Sequence, residues 1–147
     1  MKNIILVLII AFFSSCATNT SFNTFYQSNQ HDADFSLGLN SSLIRSFLPD
    51  EDFEEVKPLL KKAKHIRILV FSENFEEKTV KFDKFITKSK FEKVIKIKDD
   101  DDKIAFFTLE QKDKIKEVVL EISSDGDLVL LGLKTNLTQE DLESIIQ

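Results

Sequence analysis

Four stretches of strand-forming residues crowd the C-terminal half of this chain: Phe91 to Ile97, Ile104 to Leu109, Ile115 to Ile122 and Leu128 to Leu133. Only Lys98 to Lys103, Glu110 to Lys114 and Ser123 to Asp127 separate them. Connections that short leave no room for a crossover helix, so consecutive strands must pair antiparallel as a meander. Asp125-Gly126 marks the last turn, because both residues tolerate the positive φ of a type I′ hairpin. The segments 104–109 and 128–133 are apolar at successive positions and not merely at alternate ones. Such strands present apolar side chains to both faces of a sheet.

The upstream half alternates helix and strand signals. Phe22, Phe25 and Tyr26 fall on one face of a short helix. Phe35, Leu37 and Leu39 alternate and predict a first strand over Asp34 to Leu39. Asn40 or Ser41 is placed to cap a helix carrying Leu43, Ile44, Phe47 and Leu48, which Pro49 ends. Acidic Asp50 to Glu55 followed by basic Lys57 to Lys64 suits a helix macrodipole. Pro58 within that segment predicts a break before it, or a restart with Pro58 in the first turn. Ile66 to Phe71 reads as the second strand, and Phe75, Thr79, Phe82 and Ile86 mark the next helical face, with Phe85 beside it. At the C-terminus Thr138 and Asp141 approximate a capping box, flanked by a Leu137–Leu142 hydrophobic staple. Leu142, Ile145 and Ile146 are expected to face the sheet. The order predicts an α+β domain: a mostly antiparallel sheet of about six strands, helices packed largely on one face, and a C-terminal four-strand meander followed by a helix.

The N-terminus carries a different kind of information. Lys2 precedes an unbroken apolar run from Ile4 to Phe13, and Ser14-Ser15-Cys16 follows. A charged start, a short apolar core and small residues make a secretory signal, and a cysteine just after the cut marks a bacterial lipoprotein. The run is far short of the roughly twenty residues that span a bilayer. The rival readings are a signal cleaved elsewhere without lipid, and an uncleaved anchor. The segment resembles the lipobox, with Phe13 where Leu is usual. Residues 1–15 are thus expected to be a lipoprotein signal peptide, 16–21 a lipidated tether, and 22–147 one α+β domain, with Cys16 the lipidation site. Ala17 is compatible with outer-membrane sorting by analogy with the rule that Asp there retains a lipoprotein in the inner membrane. No acidic residue occurs from Ala17 to Asn23, which favours a periplasm-facing position.

Charge and cysteine usage narrow the function classes. Formal net charge is −5, and loss of Lys2 with the signal makes the mature chain more acidic still. Arginine occurs only at Arg45 and Arg67, so the chain lacks the basic clusters of a nucleic-acid binder. Cys16 is the one cysteine, which leaves no disulfide, thiolate nucleophile or cysteine metal site once it is acylated. Gly38, Gly126 and Gly132 stand apart, so there is no phosphate-cradling loop, and no Gly-x-Ser-x-Gly elbow is present. The run Asp99-Asp100-Asp101-Asp102 fits two positions of a calcium loop but places Lys103 and Ile104 where an oxygen and a glycine are required. A solvated hairpin tip is the reading preferred over a weak calcium site. His31 and His65 have no ligand-spaced neighbours and read as surface residues. Tyr26 reads as a packing ring, and Arg67 as a side chain turned to solvent beside Lys or Glu neighbours. No catalytic residue, cofactor or metal site is expected.

Several segments carry a family likeness: Cys16; Phe22, Phe25 and Tyr26; Phe35-Ser36-Leu37 leading to Leu43-Ile44; Ile66 to Phe71; Ile115 to Leu120; and Leu128 to Leu133 before the last helix. Together they resemble a Bacteroidota lipoprotein family catalogued as domain-of-unknown-function family 4252. The likeness spans almost the whole mature chain and implies fold and location, with no activity, cofactor or catalytic residue attached. The expectation is an outer-membrane lipoprotein that acts as a non-enzymatic, periplasm-facing binding or assembly module. It would be tied to the membrane through Cys16 and would meet a protein partner or a second copy through an apolar sheet face. The alternative is a carrier of a small apolar ligand or lipid in a helix–sheet pocket.

Overall fold

The structure, a computed structural model, describes residues 21–47 and 57–146. The expected lipid site Cys16, the signal segment, Pro49 and the acidic stretch before Lys57 lie outside the described residues.

The described chain forms helix α1 (Phe22–Asn29), strand β1 (Phe35–Asn40), helices α2 (Ser41–Phe47) and α3 (Lys57–Lys62), strand β2 (His65–Phe71) and helix α4 (Phe75–Lys88). Strands β3 (Glu92–Asp99), β4 (Asp102–Gln111), β5 (Lys114–Ser124) and β6 (Asp127–Leu137) follow, and helix α5 (Gln139–Ile146) closes the fold. Six strands make one sheet in the order β1-β2-β6-β5-β4-β3, every neighbouring pair antiparallel. The α+β class and the C-terminal meander are therefore as the sequence predicts. The strands run longer than their apolar cores, and each meander turn is correspondingly tighter. Asp99 pairs Asp102, Gln111 pairs Lys114, and Ser124 pairs Asp127. Positive φ at Lys112 and Asp113, and at Asp125 and Gly126, gives the last two turns the twist of a type I′ hairpin.

The local caps are the predicted ones. Asn40 Oδ1 accepts the backbone N–H of Leu43 at 3.2 Å, opening α2. Pro58 is the second residue of α3, where its missing N–H costs the helix nothing. The backbone N–H of Asp141 donates to Thr138 Oγ1 at 3.0 Å, and that of Thr138 donates to Asp141 Oδ2 at 2.9 Å. The short side chain of Asp thus closes the reciprocal box that Glu usually closes.

The helices divide between the two faces and do not gather on one. On one face α1 and α4 pack aromatic rings onto the sheet: Phe22, Phe25 and Tyr26 from α1 and Phe82 and Ile86 from α4 meet Leu69, Phe71, Phe107, Leu128 and Leu130. Phe25 and Phe85 lie 4.9 Å apart between centroids, and Phe82 meets Phe107 edge-on at 5.8 Å. On the other face Ile44 of α2, Leu59 of α3, Ala63 just beyond it and Leu142 of α5 pack on Ile66, Ile115, Val118, Leu133 and Leu137. The physical reason is in the strands: Val118 and Val119, or Leu130 and Leu131, are neighbours in sequence but sit on opposite faces, and each face needs a cover. We refer to these as the aromatic and the aliphatic face.

Candidate functional site

Strand register aligns the side chains of the aliphatic face into three rows across the sheet. The first row, Leu39, Ile66, Leu133 and Val118, lies beneath the helices. The second is Leu37, Ile68, Leu131, Leu120, Phe106 and Ile95, and the third is Phe35, Val70, Val129, Ile122, Ile104 and Ile97. Both rows cross all six strands without one polar residue. None of the twelve side chains is buried, and Phe35, Ile104 and Ile97 are exposed. Ile68, Phe106 and Leu131 pack, partly buried, against the aliphatic cluster, whereas no third-row residue belongs to either packed cluster. With strands about 4.8 Å apart and rows about 7 Å apart, the two rows cover a footprint of roughly 400 Å². A contiguous apolar patch of that size is often functional.

A charged cleft occupies the aromatic face. Its volume is about 170 Å³, and Ser21, Asn23, His65, Arg67, Glu117 and Lys134 are among its walls. Its floor is Gly132, where the ring of Phe22 lies so close that a Cβ would meet Cδ1 at 1.9 Å. Glu117 is buried and its Oε2 accepts the backbone N–H of Phe22 at 2.8 Å, fixing the first residue of α1 to β5. Burial pushes the Glu117 carboxyl above its ordinary value, opposed by the Phe22 N–H and by the Lys134 charge. Across the cleft, desolvation and then the charges of Arg67, Lys134 and Lys64 push the His65 imidazole down. Arg67 is half-buried and not turned to solvent as the sequence suggests: its guanidinium lies 5.4 Å over the Tyr26 ring, and Nε donates to Asn23 Oδ1 at 3.2 Å. Tyr26 itself is a buried packing ring.

Other groups marked in the sequence do not converge on either place. His31 is exposed in the turn after α1. Asp99 to Asp102 form the β3–β4 hairpin tip, with Asp100 at φ 48°. Among the described residues no three His, Cys, Asp or Glu side chains gather as a metal set. Two inward carboxylates on β5 escaped the sequence reading. Besides Glu117, Glu121 is fully buried, its Oε1 accepting from Lys103 Nζ at 2.7 Å while Oε2 has no hydrogen-bond partner. The signal was thin: Glu117 and Glu121 share parity with Val119, but the opposite parity (Val118, Leu120, Ile122) is at least as apolar, so the strand pattern points the carboxylates outward.

The chain matches no curated protein and no solved structure. A family model does match, over residues 26–145, which takes in every strand and all but the start of α1 and the end of α5. The chain therefore belongs to the family described as a domain of unknown function, DUF4252.

Proposed function

We propose that this protein is a Bacteroidota outer-membrane lipoprotein, anchored through acylated Cys16 and facing the periplasm, that works as a non-enzymatic binding or assembly module. The observation that carries the binding part is the half-exposed pair of apolar rows on the aliphatic face, of which Phe35, Ile97 and Ile104 are fully open. Water contact with about twelve aliphatic and aromatic side chains is unfavourable by roughly 25 cal/mol per Å², and a docked surface removes it. The anchoring part is supported by the signal segment and by Cys16 being the sole cysteine. Two or more acyl chains hold a protein to a bilayer where one chain binds only marginally. The carrier alternative calls for a pocket of roughly 300–1,000 Å³ with apolar walls. The cleft beside α1 is about 170 Å³ and is ringed by charged groups, and the depressions of about 310, 440 and 330 Å³ along α4 are open surface hollows rimmed by Lys84 and other charged side chains, so the flat face is the better candidate.

Fractionation of cells carrying Cys16→Ser tests the anchor: the protein is expected to leave the membrane pellet and to lose the mass of its acyl chains. Retention in the pellet overturns it. Cross-linking from the apolar rows in native membranes tests the binding role, and the absence of any cross-linked product overturns that part alone.

A further inference from the structure

We infer that the cleft at the start of α1 is a binding site for a phosphate monoester, carried by a lipid headgroup of the membrane that holds the chain. The site itself stands on the geometry of the aromatic face. Its lipid source rests on the anchored-lipoprotein reading.

Strand register builds the site as two rows at one end of the sheet. The outer row is Asn40, His65, Lys134 and Glu117, one from each of β1, β2, β6 and β5. The inner row is Gly38, Arg67, Gly132 and Val119. Arg67 therefore stands between two glycines, and a side chain at the first would crowd it: a Cβ on Gly38 would lie 3.1 Å from Arg67 Nη1 and 3.4 Å from the Tyr26 hydroxyl. The guanidinium is held in place from three sides. Nε donates to Asn23 Oδ1 at 3.2 Å, Nη1 donates to the Ile66 carbonyl at 3.3 Å, and the Tyr26 ring lies 5.4 Å away. These contacts position the charge without neutralising it, and Nη2 has no hydrogen-bond partner among the described residues.

The cleft gathers more positive charge than its carboxylate offsets. The charges of Arg67, Lys134 and Lys64 all act on His65. Among the described residues none of these three cations forms an ion pair. Glu117 is the one acidic wall, and its Oε2 is already committed to the Phe22 N–H. Three cations against one carboxylate leave two positive charges, which a phosphate monoester dianion balances. That surplus runs against a chain of net charge −5. Ser21 stands at the N-cap of α1 but makes no side-chain cap bond, so its hydroxyl is left to donate into the cleft. Arginine meets phosphate as a fork of N–H donors and lysine meets it as a point charge, and the cleft offers both. A volume of about 170 Å³ admits one phosphate group and keeps the rest of a lipid outside.

The position of the cleft supplies the lipid. Ser21, one of its walls, stands five residues after Cys16. A fully extended chain covers at most about 18 Å over that distance. On the anchored reading the cleft is therefore kept within reach of the headgroups of its own bilayer.

The test uses the full chain in non-ionic detergent. Inorganic phosphate should bind and raise the titration midpoint of His65, read by NMR, by about half a pH unit or more, because the anion offsets the Lys64, Arg67 and Lys134 charges around it. Arg67→Gln and Lys134→Gln should each weaken that binding by about tenfold, whereas Lys84→Gln on α4 should leave it unchanged. Lys134 is exposed, so its variant should melt with the wild type even if loss of the Arg67 contacts disturbs α1. Dihexanoyl phosphatidic acid should shift His65 in the same way and compete with inorganic phosphate, and dihexanoylglycerol, which lacks the phosphate, should do neither. No shift of His65 with either phosphate, or equal weakening in Lys84→Gln and Lys134→Gln, overturns the site. Binding of inorganic phosphate without phosphatidic acid overturns the lipid source and leaves the phosphate site standing. Because inorganic phosphate is read without a membrane, failure of the Cys16 anchor in fractionation would remove the lipid source and not the site.

Discussion

The two faces of the sheet are built from the same strands yet end in different states. On the aromatic face the helices reach the full height of the sheet: Leu69, Phe71, Val119, Leu128 and Leu130 are all completely buried. On the aliphatic face the short helices cover the first row and reach Ile68, Leu131 and Phe106 of the second, and the rest of the two rows stays half-exposed or open. The difference lies in what was available to cover each. Helix α4 spans fourteen residues, about 21 Å, and with α1 it brings four rings that interlock, Phe22, Phe25, Phe82 and Phe85. Helices α2, α3 and α5 have seven, six and eight residues, and each reaches only about half as far. Among the described residues the aliphatic face is covered only in part, whereas the aromatic face is sealed by its own helices.

Truncation on the two faces should break or sharpen that contrast. Phe82→Ala empties a fully buried site ringed by Phe25, Phe85 and Phe107, and should cost about 4 kcal/mol by denaturant unfolding. The matching truncation Ile104→Ala on the exposed third row should cost under about 1 kcal/mol. Similar losses from the two would mean that the faces are not different in kind. Next in size is Gly132→Ala. Its new Cβ must displace the Phe22 ring and with it the start of α1, at about 3 kcal/mol. The same change at Gly126, where nothing lies within 4 Å but φ is +84°, should cost only its backbone strain, about 1 kcal/mol.

The aliphatic face has its own fastening. Thr138→Ala removes the cap of α5 and should cost about 1 kcal/mol. The Asp141 carboxyl in that box is held down to about 2, first by Lys62 and then by the Thr138 N–H and hydroxyl. Because its folded value is depressed, its contribution is intact above the ordinary value of 3.8 and is lost as pH falls through about 2. An NMR titration of Asp141 with a midpoint near 4 would contradict the box. Glu117 runs the other way. Its raised value means the folded state holds the proton more firmly, so stability falls as pH climbs from 4.5 through the raised value. Glu117→Gln keeps an acceptor for the Phe22 N–H and removes that slope, with stability at pH 7 within about 1 kcal/mol of wild type or above it. A slope that persists in Glu117→Gln would assign it to another group.

These features were unequally legible in the sequence. The Asp125-Gly126 turn, the Thr138–Asp141 box and the α4 stripe are local patterns, and each stands where the sequence puts it. The place of β6 between β2 and β5 is set by pairing across more than sixty residues (Ile68 with Leu131), which no local pattern encodes. The inward turn of Glu117 was hidden for a related reason. Its strand is apolar on both parities, so only the docking of Phe22 from the far end of the chain reveals which face takes the carboxylate. The apolar rows themselves could be foreseen as apolar strands, but the reach of their helices could not.

The seat of Phe22 on Gly132 has a bearing on when the protein can fold. The first helix of the described residues waits for the last strand, and β2 likewise has no inner neighbour until β6 is made. Such distant pairings delay closure in proportion to the chain they must gather. On the proposed reading of an exported lipoprotein, that delay would be useful: the chain would stay threadable until its last strand is made. Shortening the wait, by circular permutation that starts the chain at β6, should leave the finished sheet intact and speed its folding from denaturant.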